Sequence, residues 1–408
     1  MMYSKIRKAG AICALVSSLL VPVSAFAADS SAYNAAVRSI NGFAFNAAAL
    51  ISEKPGDFFF SPFSVIPAVG MVYAGAKGDT AREMEAALSM SPDIHKSIYA
   101  LTQDLTSELN GKNGAALLTS ANRVWLQDEI TLRPEFNSIL LRDYRSTAAK
   151  MNFKSDPDKS KKIINLWVEQ HTNNRIRDLI QKIEPDTKMI LTNAVYFMGS
   201  WAEPFNKNKT KPTPFHVTPS DTVEVPMMMK NDDLPYGEVD GVKLLRLSYR
   251  GRLSMLLALP DDINNMPALL KNNGLDTFNA WRKALSPHQV DLWLPKFKVE
   301  KRYELKDMLK DLGIRLAFEN TADFSGITDD DKLKIDSVIH QTFIEVDEKK
   351  TEAAAATSIT MVKTTAVAPR ELPRAEFHAD RPFLYFIVDD PTGTILFMGR
   401  QCFDKSKS

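Results

Sequence analysis

Cysteine is almost absent from this chain, which has only Cys13 and Cys402 among its 408 residues. Cys13 lies in an N-terminal segment that we expect to be removed, so Cys402 alone remains and no internal disulfide can form. Stability must then come from a buried core. A chain of this length with 44% hydrophobic residues has enough apolar material for one.

A strong charge of either sign is also missing, since 51 Lys and Arg residues face 50 Asp and Glu residues. The first 27 residues carry three positive charges and no negative charge, so their removal changes the formal net charge from +1 to −2. Nucleic-acid binding generally needs a basic surface. The composition therefore predicts no nucleic-acid partner.

The most prominent apolar run lies at the N-terminus. Lys5, Arg7 and Lys8 precede the apolar stretch Ala11 to Phe26, and the segment closes on Ala25-Phe26-Ala27. This order of charge, apolar residues and small residues is typical of a secretory signal peptide.

A membrane anchor is the alternative for this segment, but Ser17, Ser18 and Pro22 interrupt an apolar run that is already short. We expect residues 1–27 to be a signal peptide and residues 28–408 to form a single domain. The mature protein is expected to be secreted or periplasmic, monomeric and free of membrane contact.

Motifs for catalysis and metal binding are lacking. The stretch from Gly70 to Lys77 misses the phosphate-loop pattern, and no Gly-x-Ser-x-Gly elbow is present. No two histidines have the i, i+4 spacing that places two metal ligands on one helical face. The histidines are His95, His171, His216, His288, His340 and His378. We expect neither an enzyme nor a metal or other cofactor.

Hydrophobic spacing predicts helices in the first half of the chain and strands in the second. The predicted helices are Ala32 to Ser52, one that begins at Ser61-Pro62, Ile163 to Ile183, and Tyr303 to Leu312. The predicted strands are Ile190 to Phe197, Leu253 to Pro260, Val290 to Pro295, Pro382 to Val388, and Thr394 to Gly399. This order indicates an α+β domain.

The segment Thr351 to Thr364 has the residue alternation of a strand, but it is unusually long and loop-like residues follow it. Alternation gives it an uncharged face, formed by Thr351, Ala353, Ala355, Thr357, Ile359 and Met361. Fully extended, its fourteen residues would span about 46 Å, so that only a large sheet could accommodate them. The residues that follow, with Pro369 and Pro373, instead indicate an exposed loop.

This segment resembles the reactive-centre loop of serpins, a family of protease inhibitors. Further fragments match the family in order along the chain. They are Phe60-Ser-Pro-Phe-Ser64, Thr192 to Trp201, Met227-Met228, Leu294-Pro-Lys-Phe297, Ala322 to Ile327, Val338-Ile-His340, Asp380-Arg-Pro-Phe383 and Leu396 to Arg400. The likeness covers nearly all of residues 32–403.

The resemblance implies a large central β-sheet, two further sheets, eight or nine helices and an exposed loop from Glu348 to Pro382. It implies a suicide-substrate inhibitor of serine proteases, with cysteine proteases as a further target class. Serpins are cleaved in this loop, which then inserts as a new strand and traps the acyl-enzyme. The resemblance assigns Glu348, Thr351, Ala353, Ala354, Ala355 and Ala356 to the hinge of the loop. It assigns Ser61, Ser64, Asn193 and His340 to the shutter, where the central sheet parts.

Counting from Glu348 by the family convention places the cleaved bond between Thr364 and Thr365. Val362, Lys363 and Arg370 are alternative positions for the cut. These residues suit targets of trypsin-like, elastase-like or subtilisin-like specificity.

Two departures from the family pattern leave an alternative open. Lys350 stands where inhibitory serpins usually have Gly, and the loop beyond Thr364 is longer than is common. The alternative is a non-inhibitory serpin that acts as a binding or carrier protein. Thr351 and the small residues Ala353 to Ala356 favour the inhibitor.

Overall fold

A computed structural model describes residues 30–91, 94–110, 116–271, 274–329, 333–349 and 371–403. Within these ranges no helix is both long and apolar enough to cross a membrane. The described residues form helices and two mainly antiparallel sheets, which confirms the α+β class.

The described ranges contain nine α-helices, most of them in the first half of the chain. They are α1 (Ser30–Ile51), α2 (Pro62–Tyr73), α3 (Gly78–Leu88), α4 (Ile94–Leu109), α5 (Pro134–Tyr144), α6 (Pro157–His171), α7 (Met266–Lys271), α8 (Leu275–Ala284) and α9 (Lys306–Asp311).

Fourteen strands lie in the same ranges. They are β1 (Phe58–Phe60), β2 (Ala116–Gln127), β3 (Ala149–Met151), β4 (Met189–Gly199), β5 (Lys211–His216), β6 (Thr222–Val239), β7 (Val242–Ser248), β8 (Leu253–Pro260), β9 (Ser286–Pro295), β10 (Phe297–Glu304), β11 (Ser337–Val346), β12 (Arg374–His378), β13 (Phe383–Asp389) and β14 (Ile395–Gln401).

The strands group into two hydrogen-bonded sheets. A five-stranded sheet has the order β10-β11-β4-β2-β3, and a nine-stranded sheet has the order β1-β14-β13-β8-β7-β6-β9-β12, with β5 also paired to β6. Three sheets were expected. The described part of the chain has two sheets because β6, which is 18 residues long, joins two groups of strands into one sheet. It pairs with β5 and β9 along most of its length and with β7 at its end.

Helix α2 lies between the sheets and contacts β4 of one and β14 of the other. All of its twelve residues are buried, as expected of a helix that is apolar on every side. The Ser61 side chain accepts a hydrogen bond from the Ser64 N–H, and Pro62 occupies the first turn. The predicted helix start at Ser61-Pro62 is therefore confirmed.

The helix predicted over Ile163 to Ile183 is wrong beyond His171. Asn173 and Asn174 both have positive φ, a left-handed conformation that ends a helix. The apolar residues that follow, such as Ile176 and Ile180, are buried without forming a helix. Their spacing reflects burial in a second core cluster with β4 and β11 rather than helical periodicity.

Two other predictions also differ from the structure. Tyr303 belongs to β10 and helix α9 begins only at Lys306. In the first half, the twelve-residue strand β2 was not predicted, because Arg123 and partly exposed neighbours break the apolar alternation that identifies a strand.

Candidate functional site

The site lies where the parallel strands β4 and β11 separate. Their pairing runs from Ser337 opposite Ile190 to Phe343 opposite Tyr196 and stops there. Both strands continue for three more residues, still paired on their outer sides with β2 and β10. The five-stranded sheet is thus split at this end into two halves.

Two aromatic residues beyond the end of β4 hold the chain that leaves β11. The Trp201 Nε1–H donates to the Asp347 carbonyl at 2.8 Å, and the Phe205 N–H donates to the Glu348 carbonyl at 2.9 Å. The Trp201 ring is itself stacked on Tyr249, with centroids 4.4 Å apart. The backbone at the start of the predicted hinge is therefore fixed from one side.

The Glu348 side chain is buried and has two partners. Its Oε1 accepts from the Thr210 hydroxyl at 2.8 Å and its Oε2 accepts from Lys296 Nζ at 2.7 Å. Burial acts to raise the pKa of the Glu348 carboxyl, but the hydrogen bonds from Lys296 and Thr210 outweigh it and keep the pKa below its usual value. Glu348 is thus an anionic anchor rather than an exposed loop residue.

His340 joins β11 to the start of α2. The Ser61 N–H donates to His340 Nε2 at 3.1 Å, which requires that nitrogen to be unprotonated. The ring is completely buried, and this burial lowers the pKa of His340 to about 3. His340 is therefore a neutral acceptor under ordinary conditions.

Asn193 joins β4 to the same turn of α2. Its Nδ2 donates to the Ser64 carbonyl at 2.9 Å and to the Ser64 hydroxyl at 2.6 Å. The Ser61 hydroxyl donates to the Leu396 carbonyl of β14 at 2.7 Å. The four residues Ser61, Ser64, Asn193 and His340 are thus brought together, although their part in sheet opening stays a prediction.

Two further residues belong to this network and were not predicted. Ser120 Oγ lies 2.9 Å from Ser64 Oγ, and Asn122 Oδ1 accepts from Asn193 Nδ2. Both lie on β2, two residues apart and so on one face of the strand. Had β2 been recognised, the alternation of Ser120 and Asn122 on one face of the strand would have indicated the site.

The remaining predicted site residues lie outside the described ranges, as does Lys350. They are the hinge residues Thr351, Ala353, Ala354, Ala355 and Ala356 and the cut positions Val362, Lys363, Thr364, Thr365 and Arg370.

The exposed loop predicted from Glu348 to Pro382 is too long at both ends. Glu348 is buried, and the described chain resumes at Glu371 to enter β12 at Arg374, beside β9. Phe377 is fully buried on that strand. Arg374 is exposed, as predicted, but it belongs to strand β12 rather than to a loop, because Phe377 anchors β12 in the sheet.

Other site chemistry is sparse in the described ranges. They contain no group of three or more His, Cys, Asp or Glu residues placed to hold a metal ion. The main feature with a defined geometry is the split between β4 and β11, with the polar network beneath it.

Comparison with known proteins gives a consistent result. The family model described as serpin (serine protease inhibitor) matches residues 38–402. An uncharacterized serpin-like protein of Thermococcus kodakarensis is 38% identical over 365 residues, which is 89% of this chain and 84% of the relative. Leukocyte elastase inhibitor of Sus scrofa is 34% identical over 86% of this chain and 93% of the relative.

Solved structures also match. Human thyroxine-binding globulin, solved with bound thyroxine, has a TM-score of 0.80 and 28% identity over 91% of this chain and 98% of its own. Uncleaved ovalbumin has a TM-score of 0.80 and 25% identity over 90% of this chain and 100% of its own.

Proposed function

This chain belongs to the serpin family, and from that membership and the geometry of the site we propose that it is a suicide-substrate inhibitor of serine proteases. Cysteine proteases are a further target class. The split between β4 and β11 is the observation that supports this proposal most directly. It leaves an opening in the five-stranded sheet at the end from which the chain departs through Asp347 and Glu348.

The proposed reaction begins as ordinary proteolysis. The protease serine hydroxyl attacks the carbonyl carbon of Thr364, an ester forms, and the amide bond to Thr365 breaks as its nitrogen takes up the proton. The residues from Thr351 to about Val362 then insert between β4 and β11. Insertion carries the ester-linked protease away and distorts it before water can hydrolyse the ester.

Insertion is favoured because a strand placed between β4 and β11 gains hydrogen bonds on both sides. Each net hydrogen bond contributes about 0.5 to 1.5 kcal/mol, so about a dozen provide roughly 10 kcal/mol. Ordering the backbone opposes this gain at about 1 to 2 kcal/mol per residue, so burial of Ile359 and Met361 and relief of strain must contribute as well. The uncleaved protein is then kinetically trapped rather than at its free-energy minimum.

The finer assignments are part of the same proposal. We place the cut at Thr364-Thr365, with Lys363, Val362 and Arg370 as alternatives, and we expect targets of trypsin-like, elastase-like or subtilisin-like specificity. The sequence pattern of residues 1–27 supports export by a signal peptide. N-terminal sequencing of protein from the medium and periplasm of expressing cells tests that cleavage, with Ala28 as the expected first residue.

Incubation of the purified mature protein with trypsin, elastase and subtilisin tests the inhibitor proposal. A denaturing gel should show a covalent adduct with at least one protease, and mass analysis of the released C-terminal peptide identifies the cut. Simple turnover by every protease, with no adduct, would contradict the proposal.

The carrier alternative is supported by a second observation. A cavity of about 250 Å³ lies between α8 and strands β7, β8 and β13, and its lining combines apolar residues such as Leu256 and Val388 with three cations, Arg246, Arg282 and Lys283, and one carboxylate, Asp390. Such a cavity suits a small amphipathic anion. Saturable binding of an aromatic carboxylate, together with failure to form any adduct, would favour the carrier.

A further inference from the structure

A separate feature lies in the nine-stranded sheet, where the hairpin of β6 and β7 comes apart. Its two-residue turn, Asp240-Gly241, has positive φ at both positions, as in the tight turns that close regular hairpins. Pairing between the strands begins at Val239 opposite Val242 and stops at Tyr236 opposite Leu245. Both strands continue beyond this point.

Pro235 explains why the pairing stops. In a hairpin of this type, the residue pairs that exchange hydrogen bonds alternate, starting with the pair beside the turn. Pro235 falls at the next position where β6 must donate a hydrogen bond to β7, and proline has no N–H. At the following position that faces β7, the Asp233 N–H donates to the Asp232 carboxylate at 2.9 Å instead of to a carbonyl of β7.

A cavity of about 180 Å³ occupies the gap. Its walls are residues 232–235 of β6 and 246–248 of β7, and the rings of Trp201 and Phe205 also line it. An engineered apolar cavity of about 150 Å³ holds a benzene molecule, so one aliphatic side chain fits this space. On its other side β6 remains paired with β9, so the edge that faces the gap is held in extended form.

The charges around the gap favour a cationic occupant. Lys230 pairs with Asp232 at 2.8 Å and donates to the Glu203 carbonyl, while Arg246 lies 3.9 Å from Asp390. Among the described residues, the carboxylates of Glu203 and Asp233 have no ion-pair partner.

We propose that this gap is a docking site for an extended, basic peptide segment of a partner protein. The segment would add to the edge of β6, place an apolar side chain between Leu234 and Leu247, and direct a basic side chain toward Asp233 and Glu203. Because Pro235 has no N–H and the Asp233 N–H is already used, the backbone hydrogen bonds would run from N–H groups of the segment to carbonyls of β6, while the cavity and the carboxylates select the sequence.

The site is coupled to the hinge by contacts already described. Trp201 and Phe205 line the gap, and the same two residues donate hydrogen bonds to the carbonyls of Asp347 and Glu348. A bound segment that immobilises Trp201 and Phe205 would retain the hinge and slow loop insertion. This coupling rests on the proposed inhibitor function, whereas docking itself does not.

Fluorescence anisotropy with the intact mature protein and a fluorescein-labelled Leu-Lys-Leu-Lys-Leu peptide tests docking. We expect saturable binding that Asp233→Asn and Glu203→Gln each weaken by about two- to fivefold, the effect of one exposed ion pair. The matched control is Glu224→Gln, an exposed glutamate on β6 outside the gap, which should leave the affinity unchanged.

Two altered peptides separate strand pairing from charge. N-methylation of the central leucine should weaken binding by roughly tenfold, because a backbone donor is lost, and Leu-Glu-Leu-Glu-Leu should not bind. Absence of saturable binding, equal effects of Asp233→Asn and Glu224→Gln, or equal binding of any altered peptide would overturn the docking proposal.

The coupling has its own readout. Saturating peptide should lower the rate constant of adduct formation with a target protease several-fold, and an unchanged rate would overturn the coupling. Docking without any adduct would mean that the inhibitor proposal fails while the docking site stands. Adduct formation without peptide binding would mean that the docking proposal fails while the inhibitor proposal stands.

Discussion

His340 on β11 and Asn193 on β4 lie directly opposite each other in the parallel pairing of the two strands. Each also holds the first turn of α2, His340 by accepting from the Ser61 N–H and Asn193 by donating to the Ser64 carbonyl. Strands β4 and β11 therefore cannot separate without disturbing at least one of these contacts. The polar network thus ties both strands to α2 at the place where we propose that the sheet opens.

The first prediction concerns pH. Burial lowers the pKa of His340 to about 3 from an unfolded value of about 6.5, so the unfolded chain binds a proton before the folded protein does. Stability contributed by neutral His340 is complete above pH 6.5 and is lost as the pH falls toward 3. The expected loss by pH 5 is about 2 kcal/mol.

Urea unfolding at pH 7.5 and pH 5 measures this loss. His340→Gln keeps an acceptor but does not titrate, so its midpoint should fall less between the two pH values. His216→Gln is the control because His216 is exposed on β5. If both variants show the same pH dependence as the parent, His340 is not the responsible group.

The second prediction concerns the anchor of the hinge. Glu348→Gln removes the ion pair with Lys296. In this pair the Glu348 side chain is buried and the Lys296 side chain is partly exposed. A charged hydrogen bond contributes about 1.5 to 3 kcal/mol, and partial exposure of Lys296 reduces this to about 1 to 2 kcal/mol. The variant should unfold at a lower urea concentration. On mild heating it should also lose more quickly the ability to form a covalent adduct with a protease.

Lys296→Met provides the other half of a double-mutant cycle with Glu348→Gln. The two effects should combine to less than their sum, because both remove one interaction. The matched control is Glu319→Gln, which breaks the more exposed pair with Lys310 and should change stability little. Additive effects of the first two variants would contradict a direct pairing.

The third prediction concerns Asn193. Asn193→Ala removes the donor that the buried Ser64 carbonyl and the part-buried Asn122 Oδ1 share, and it leaves them with longer contacts, from Asn122 Nδ2 at 3.4 Å and from Ser120 Oγ at 3.2 Å. Loss of the main partner of a buried polar group costs about 1 to 3 kcal/mol. The free energy of unfolding from urea titration should fall by that amount, and a fall below about 0.5 kcal/mol, typical of surface changes, would argue against the network.

The fourth prediction concerns insertion itself. Thr351→Arg would place a charge on the face of the inserted strand that meets the core, so insertion should stall and the protein should be cleaved as a substrate. Glu352→Arg makes the same replacement on the opposite face and should preserve inhibition. The number of inhibitor molecules consumed per protease, measured by titration, distinguishes them, and equal values would count against the assignment of faces.

Sequence alone was sufficient for the parts of the fold that are local. The Ser61-Pro62 helix start and the strand Leu253 to Pro260 follow from capping chemistry and from a short apolar run. The grouping of Ser61, Ser64, Asn193 and His340 came from the resemblance to a known family, since these residues are scattered over 280 positions of the chain.

What sequence could not predict depends on contacts between distant segments. The partners of Glu348 are 52 and 138 residues away from it along the chain, and nothing local to Lys296 or Thr210 indicates the pairing. The point at which β4 and β11 separate is not marked in either strand's own pattern, since both strands continue for three residues beyond it. The buried residues after His171 were misread because burial against a sheet and helical burial give similar spacing.

The most direct test of the account is the crystal structure of the protein after cleavage in the loop. We predict that a new strand lies between β4 and β11, so that Asn193 and His340 move from one strand spacing apart, about 4.8 Å, to two, about 10 Å. A cleaved protein in which His340 still lies opposite Asn193, with the cut segment outside the sheet, would contradict the account.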